Sequence, residues 1–381
     1  MKRRIPLTLV ICLIVFASPH FPPAGAASNQ SASLDLVEAT ISAELARWKA
    51  PGLSAALVSD HRVVWSHGFG LADIEQRVAA KTATVYRIAS ISKPITAVAV
   101  LQLVEAGRLD LEEPIQRYCP TFPTKPWPIT TEQLLAHLGG VRGYKSNDEL
   151  YSTRHYTDVR EPLALFKDDP LLHEPGTKFS YTTYGYNVLG CVIEGASGMS
   201  YVDYVRERIF RPAAMLHTRP DDVYAVIPNR ARSYRKAPNG ELQNAPLADS
   251  SNKIPGGGFC ATAEDLARFA LAVQTGHLLG KEMVAQMFTR QTIRDGREIP
   301  FGLGWAVGTR HGRKEVWHMG GGQGVSNILY MRPQEGTAVA LLVNVNGLAT
   351  PPEEAPVLGL ARRIIDIVSP PMLGEAKGAK R

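Results

Sequence analysis

The chain has 381 residues, 45% of them hydrophobic, which makes it a globular protein with one large or two medium domains. Its formal charge of +6 falls to about +3 once Lys2, Arg3 and Arg4 are set aside, since 39 of the 42 basic residues then face 36 acidic ones. That balance gives no ground for a nucleic-acid partner.

The first residues have the composition of a targeting segment. Basic Lys2-Arg3-Arg4 precede an apolar run over 5–17, followed by Pro22-Pro23 and the small residues Ala24-Gly25-Ala26-Ala27. This reads as a secretory leader over 1–26, cleaved before Ala27, and implies a secreted or periplasmic protein. The apolar run, about thirteen residues, is short for a membrane span, so membrane association is expected only if the leader stays uncleaved. Cys12 follows Ile11 and matches a lipoprotein site poorly. Beyond it, Cys119, Cys191 and Cys260 are too few for a disulfide framework and fit no metal spacing, so all three read as small buried apolar residues.

Leu34, Val37, Ile41, Leu45 and Trp48 recur at helical spacing after Ser33, an expected N-cap, and Pro51-Gly52 ends that helix. Strands are expected over 53–58 and 62–67, joined by a turn at Ser59-Asp60-His61. The next helix begins near Ser90 and runs to Gly107. From 111 to 246 helical pieces alternate with polar or Pro-rich loops, which suggests an inserted all-α lobe. Thr130 with Gln133 caps a helix through His137, Ser200 with Asp203 caps another, and a helix carrying Val188, Leu189, Val192 and Ile193 ends near Gly198. Thr262 with Asp265 caps a later helix. Strands return over 303–307, 314–318, 326–331 and 338–343, before a last helix over 357–368. The expected fold class is α+β: one antiparallel β-sheet flanked by helices and built from 27–110 and 247–370, with the lobe at 111–246 and a flexible tail at 371–381.

Chemistry centres on Ser90-Ile91-Ser92-Lys93-Pro94. Positions i and i+3 of a helix share a face, so the Ser90 hydroxyl and Lys93 amine lie within reach of each other. Pro94 is tolerated only where a helix has just begun, which sets Ser90 at a helix N-terminus that favours an oxyanion. The motif alone is weak, because Ser250 and Lys253 repeat it and chance supplies roughly one or two copies. Ser250 sits among Asp249, Ser251, Asn252 and Pro255 and reads as a solvated loop residue. An ordinary lysine near pKa 10.4 is protonated at neutral pH, so Lys93 needs burial, a second cation or a phenol to act on Ser90. Tyr181 and His318, the latter beside Gly320-Gly321-Gly322, are the candidates from other segments.

In this order and at these intervals, Ser90-x-x-Lys93, Tyr181 and His318-x-Gly320 resemble the serine β-lactamase and penicillin-binding-protein superfamily, in its class C β-lactamase-like branch. The phrases at 104–111, 134–140 and 175–190 match as well. The runs 87–93 and Gly256-Gly257-Gly258-Phe259 are most similar to the mitochondrial serine β-lactamase-like proteins and their bacterial relatives. The resemblance implies an acyl-enzyme mechanism without a cofactor or metal. Ser90 would be the nucleophile, Lys93 its proton acceptor, and Tyr181 the base that serves the leaving group and water. His318 would polarise Tyr181 and help orient the substrate. The N–H groups of Ser90 and Gly321 would form the oxyanion hole, and Thr183 and Gly320 would contact a small-molecule or peptide substrate.

Two departures set this chain apart from the β-lactamases. Thr183 replaces asparagine in the middle motif, and His318-Met319 replace lysine and threonine in the last. Both remove groups that hold a β-lactam's amide and carboxylate, and a histidine is only partly charged at neutral pH. An esterase or peptidase therefore fits better than a dedicated β-lactamase or DD-peptidase. A scaffold that keeps the fold without turnover would be expected to have lost at least one of the four catalytic side chains. Arg142, Tyr144 and Arg232 read as exposed loop positions near the specificity loops. Oligomeric state is not legible.

Overall fold

Two segments from opposite ends of the chain decide the centre of the fold. Gly52–Ser59 (β1) and Thr337–Val343 (β7) are buried along nearly their whole length, as runs of small and branched apolar residues with no polar face require. They pair antiparallel, Leu53 with Val343 through to Val58 with Ala338. Around them lies a seven-stranded antiparallel sheet in the order β3-β2-β1-β7-β6-β5-β4, completed by Arg62–Asp73 (β2), Val78–Ala79 (β3), Ala306–Arg310 (β4), Arg313–Gly322 (β5) and Val325–Arg332 (β6). The computed structural model describes residues 24–350 and 354–370. The N-terminal part of the expected leader and the tail at 371–381 lie outside those residues.

Strand alternation divides the interior into two cores. Leu53, Ala55 and Leu57 join Val339, Leu341 and Val343 beneath the helices Ala24–Trp48 (α1) and Pro356–Val368 (α6). Ala56, Val58, Ala338, Ala340 and Leu342 face the opposite core, which holds Ser92–Glu105 (α2), Tyr184–Ser197 (α4) and Ala263–Gln274 (α5). Along β5 the same alternation turns Trp317 and Met319 toward the first core, and Val316 toward the second.

The turn between β1 and β2 is set by Asp60 and His61, both with positive φ, the requirement of a two-residue I′ hairpin. Thr130 and Gln133 form the expected capping box, Ser200 and Thr262 accept from the backbones of Asp203 and Asp265, and Gly198 closes α4 in the left-handed region. Several boundaries differ from expectation. Helix α1 begins at Ala24, so Ser33 lies inside it and is not its cap. The capping-box helix Thr131–Leu135 (α3) stops before His137, whose φ of 59° turns the chain out of helix. Strand β4 starts at Ala306 and leaves Gly302 and Gly304 in the preceding loop. The stretch 111–246 also contains three short strands: Arg219–Pro220, Tyr234–Lys236 and Leu242–Asn244.

Cys119 and Cys191 are joined by a disulfide, contrary to the reading of all three cysteines as apolar filler. Gly195 explains how the chain reaches that geometry: a Cβ there would lie 1.7 Å from the Tyr118 carbonyl oxygen, so its absence lets α4 press against the turn holding Cys119. Closing a loop of 72 residues is worth on the order of 4 kcal/mol in the chain-entropy account. Among the described residues Cys260 is free, and it is buried.

Candidate active site

Ser90 occupies a single 3-10 turn, Ala89–Ile91, that leads directly into α2. Pro94 falls in the first turn of α2, where no N–H is needed. From Pro94 to Leu101 every residue is buried, so α2 runs through the core and fixes what it carries. Ala89 has a φ of 47°, a left-handed conformation uncommon for alanine, so the backbone immediately before Ser90 is held in a turn with a steric cost. Ser90 itself is partly open to solvent.

Lys93 is fully buried and its Nζ has three partners: Ser90 Oγ at 3.0 Å, the Gly256 carbonyl at 2.7 Å and Thr183 Oγ1 at 3.3 Å. Burial, and after it the positive charge of Lys253, hold this amine well below the ordinary lysine value. A neutral amine has two hydrogens and one lone pair. Donated to Gly256 O and Thr183 Oγ1, the hydrogens leave the lone pair for the Ser90 proton. Gly256 is required at its place, since a Cβ there would sit 2.6 Å from the Thr183 methyl and 2.8 Å from its carbonyl. Thr96 donates to the Pro255 carbonyl at 2.6 Å and holds this segment against α2.

Tyr181 reaches the same point from the loop before α4. Its ring lies 4.9 Å from Lys93 Nζ and its hydroxyl pairs with Ser90. The residue as a whole is 46% exposed, yet its hydroxyl sits at the inner end of the site, where burial holds the phenol above its ordinary value. Thr183 spends its hydroxyl on Lys93 and gives α4 no side-chain cap.

His318 projects from β5 toward the site. Its Nδ1 lies 2.7 Å from the Met319 carbonyl, which fixes the proton there and leaves the buried Nε2 without a partner among the described residues, as an acceptor. Burial, and then the Lys93 charge, lower its pKa to about 3, so this histidine is neutral at physiological pH rather than partly charged. Met319 points to the opposite core, so of the two departures in the last motif only His318 faces the site. Gly320 packs directly on the Ser90 turn: a Cβ would lie 2.1 Å from the Ile88 carbonyl oxygen. Gly321, next along the strand, is exposed beside it.

Four residues take places not expected from the sequence. His137 is buried; it accepts from Thr182 N at Nδ1 (3.2 Å) and from Ser180 N at its carbonyl (2.9 Å), and its ring lies 4.3 Å from that of Tyr181. It therefore brackets Tyr181 on both sides. Arg142 is buried in ion pairs with Glu149 (2.8 Å) and Asp169 (2.6 Å), not a solvated loop residue. Ser250 and Lys253 are also buried, within a 3-10 turn, Ser250–Lys253, that precedes Gly256. Arg232 is exposed, as expected, and Tyr144 is half-buried.

Residues 37–362 match the family model described as Beta-lactamase. The chain belongs to the β-lactamase family. Among family relatives, the serine β-lactamase-like protein LACTB, mitochondrial, of Mus musculus is 31% identical, with 84% of this chain and 76% of that protein covered. The Homo sapiens counterpart is 32% identical, with 75% and 69% covered. These relatives are mitochondrial by name, which overturns the expectation of a secreted or periplasmic β-lactamase-family protein drawn from the first residues. Among solved structures, the octameric penicillin-binding protein homologue from Pyrococcus abyssi is 25% identical, with a TM-score of 0.74 and coverage of 88% of this chain and 77% of that one. The D-amino acid amidase from Ochrobactrum anthropi SV3 shares the β-lactamase-family fold at 23% identity, with a TM-score of 0.77 and coverage of 88% and 98%.

Proposed function

We propose that this β-lactamase-family protein is a serine hydrolase that forms an acyl-serine at Ser90 from a neutral ester, amide or peptide bond. The observation that carries the reading is the Lys93 amine, buried and 3.0 Å from Ser90 Oγ. In the first step Lys93 takes the Ser90 proton while Oγ attacks the substrate carbonyl carbon. The oxyanion forms against the N–H groups of Ser90 and Gly321, a type of contact worth roughly 3 kcal/mol of barrier per donor. Tyr181, protonated because its phenol is held above the ordinary value, gives its proton to the leaving group and recovers one through Lys93. Water then cleaves the acyl-enzyme with the same pair acting in reverse.

His318 supports the narrower statement about substrate. A neutral ring presenting a lone pair offers a hydrogen-bond acceptor where a carboxylate would need a donor or a cation. Substrates with an N–H or O–H at that point fit; β-lactams and peptides ending in a free carboxylate do not. The test is a panel of short acyl esters, amides, D-Ala-D-Ala peptides and nitrocefin on wild type and Ser90→Ala. Turnover of uncharged esters or amides that disappears in Ser90→Ala supports the reading. Preferential turnover of nitrocefin would reverse the substrate assignment, and no acylation by any member would sink the hydrolase itself.

A further inference from the structure

The second Ser-x-x-Lys of the chain is buried beside the first, and its lysine is not used by the mechanism above. Lys253 Nζ donates to the Leu150 carbonyl and to Asn252 Oδ1, each at 3.0 Å, and lies 5.9 Å from the centre of the Tyr144 ring. The Tyr144 phenol pairs with the Thr183 hydroxyl, which accepts from Lys93. Three residues beyond Lys253, in the helical turn that follows, the Gly256 carbonyl accepts from Lys93 directly. A Cβ on Gly257 would lie 3.7 Å from Lys253 Cδ and 3.8 Å from the Ala89 carbonyl carbon, so the Lys253 stem runs close beneath the nucleophile turn.

Resting on the acyl-serine reading, we propose that Lys253 is a positioning residue for Lys93: a second cation, locked in place, that disfavours a positive charge on the Lys93 amine and so leaves it able to accept the Ser90 proton.

The surroundings of the two lysines support a division of labour. Asp221 and Asp249 favour charge on Lys253, and Arg87 opposes it. Both carboxylates are already engaged, Asp221 by Arg87 at 2.5 Å and by Arg230, Asp249 by His155 at 2.8 Å, so neither neutralises Lys253 outright. Lys93, by contrast, faces His137 and His318, both held neutral by burial, and the rings of Tyr181 and Tyr186. No carboxylate acts on it among the described residues. Burial first, and then Arg87, lowers the Lys253 pKa to about 7, and burial followed by the Lys253 charge holds the Lys93 amine well below the ordinary lysine value.

The experiment is the pH dependence of Ser90 labelling by a fluorophosphonate in wild type, Lys253→Met, Lys253→Gln and Lys253→Arg. The rate rises with pH as Lys93 loses its proton. Removing the second cation raises the midpoint of that limb by about one pH unit, so labelling below it slows about tenfold and recovers at higher pH. Glutamine keeps a donor to Leu150 but no charge and is expected to follow methionine; arginine keeps the charge and leaves the midpoint at or below that of wild type. Folded neutral variants with an unmoved midpoint, a rate lowered equally at every pH, or an arginine variant with a raised midpoint would each overturn the proposal. Should the variants fail to fold, side-chain NMR of lysine-labelled wild type decides: Lys253 protonating first supports it, Lys93 first refutes it. Labelling that survives in Ser90→Ala condemns the acyl-serine reading instead, whereas Ser90-dependent labelling with an unmoved limb condemns only the role of Lys253.

Discussion

Two copies of the same four-residue spacing end up within one site and do opposite things. In the first, Ser90 and Lys93 point toward each other, 3.0 Å apart. In the second, Ser250 Oγ donates to Gln323 Oε1 at 3.2 Å, while Lys253 turns to Leu150. Spacing brings two side chains to one face only when a regular helix follows. The first copy enters α2, fourteen residues long; the second is a single turn in which Lys253 has left helical geometry, at φ −152°. A motif is thus a statement about the backbone beneath it as much as about its side chains.

The largest test of that contrast exchanges one atom in each copy. Ser90→Ala should abolish acyl labelling and lower kcat/KM by at least about a thousandfold, whereas Ser250→Ala should stay within a few-fold of wild type. Equal losses would erase the distinction. The first copy also depends on Thr183 arriving with α4, which the disulfide holds. Cys119→Ser should cost about 4 kcal/mol in urea-induced unfolding, and an unchanged midpoint would mean that the bridge carries no stability. Tyr181→Phe should keep Ser90 labelling by a fluorophosphonate, whose leaving group needs little protonation, but reduce amide turnover about a hundredfold; parallel losses would deny it the proton-donor role. His318→Lys should improve carboxylate-bearing peptides relative to uncharged amides about tenfold in kcat/KM, and a ratio that does not move would free His318 from substrate choice.

A smaller effect belongs to stability. Lys253 binds a proton less readily folded than unfolded, so between pH of about 7 and the ordinary lysine value the unfolded chain carries more protons and stability rises with pH. Melting temperatures of Lys253→Met should rise less steeply over that interval than those of wild type, and identical slopes would show that Lys253 is not held neutral.

How much of this was legible depended on how local each cause is. Ser90, Lys93 and Pro94 are neighbours, and their meaning follows from helix geometry alone. The capping residues Thr130, Ser200 and Thr262 were readable for the same reason, as was the alternation of the central strands. His137 was not, because its role is to hold Ser180 and Thr182 by backbone bonds across more than forty residues, and a histidine in a Leu-rich phrase carries no mark of that. The disulfide was hidden by the odd cysteine count and a separation of 72, and Gly195, which permits it, reads as an ordinary helix glycine. Lys253 looked like a loop residue because two of its contacts, with the Tyr144 ring and the Leu150 carbonyl, come from far along the chain.

The pairing of β1 with β7 bears on how the molecule comes into being. The second strand of that pair is made long after the first, so during synthesis β1 waits with an open, apolar edge, and the Ser90 turn waits for Gly320 to close over it. A nascent chain can thus carry Ser90 long before the segment that packs on its turn exists. Chains stopped at Gly336 should aggregate through that bare edge and take up no acyl probe; a soluble, reactive truncation would show that the sheet can be finished some other way.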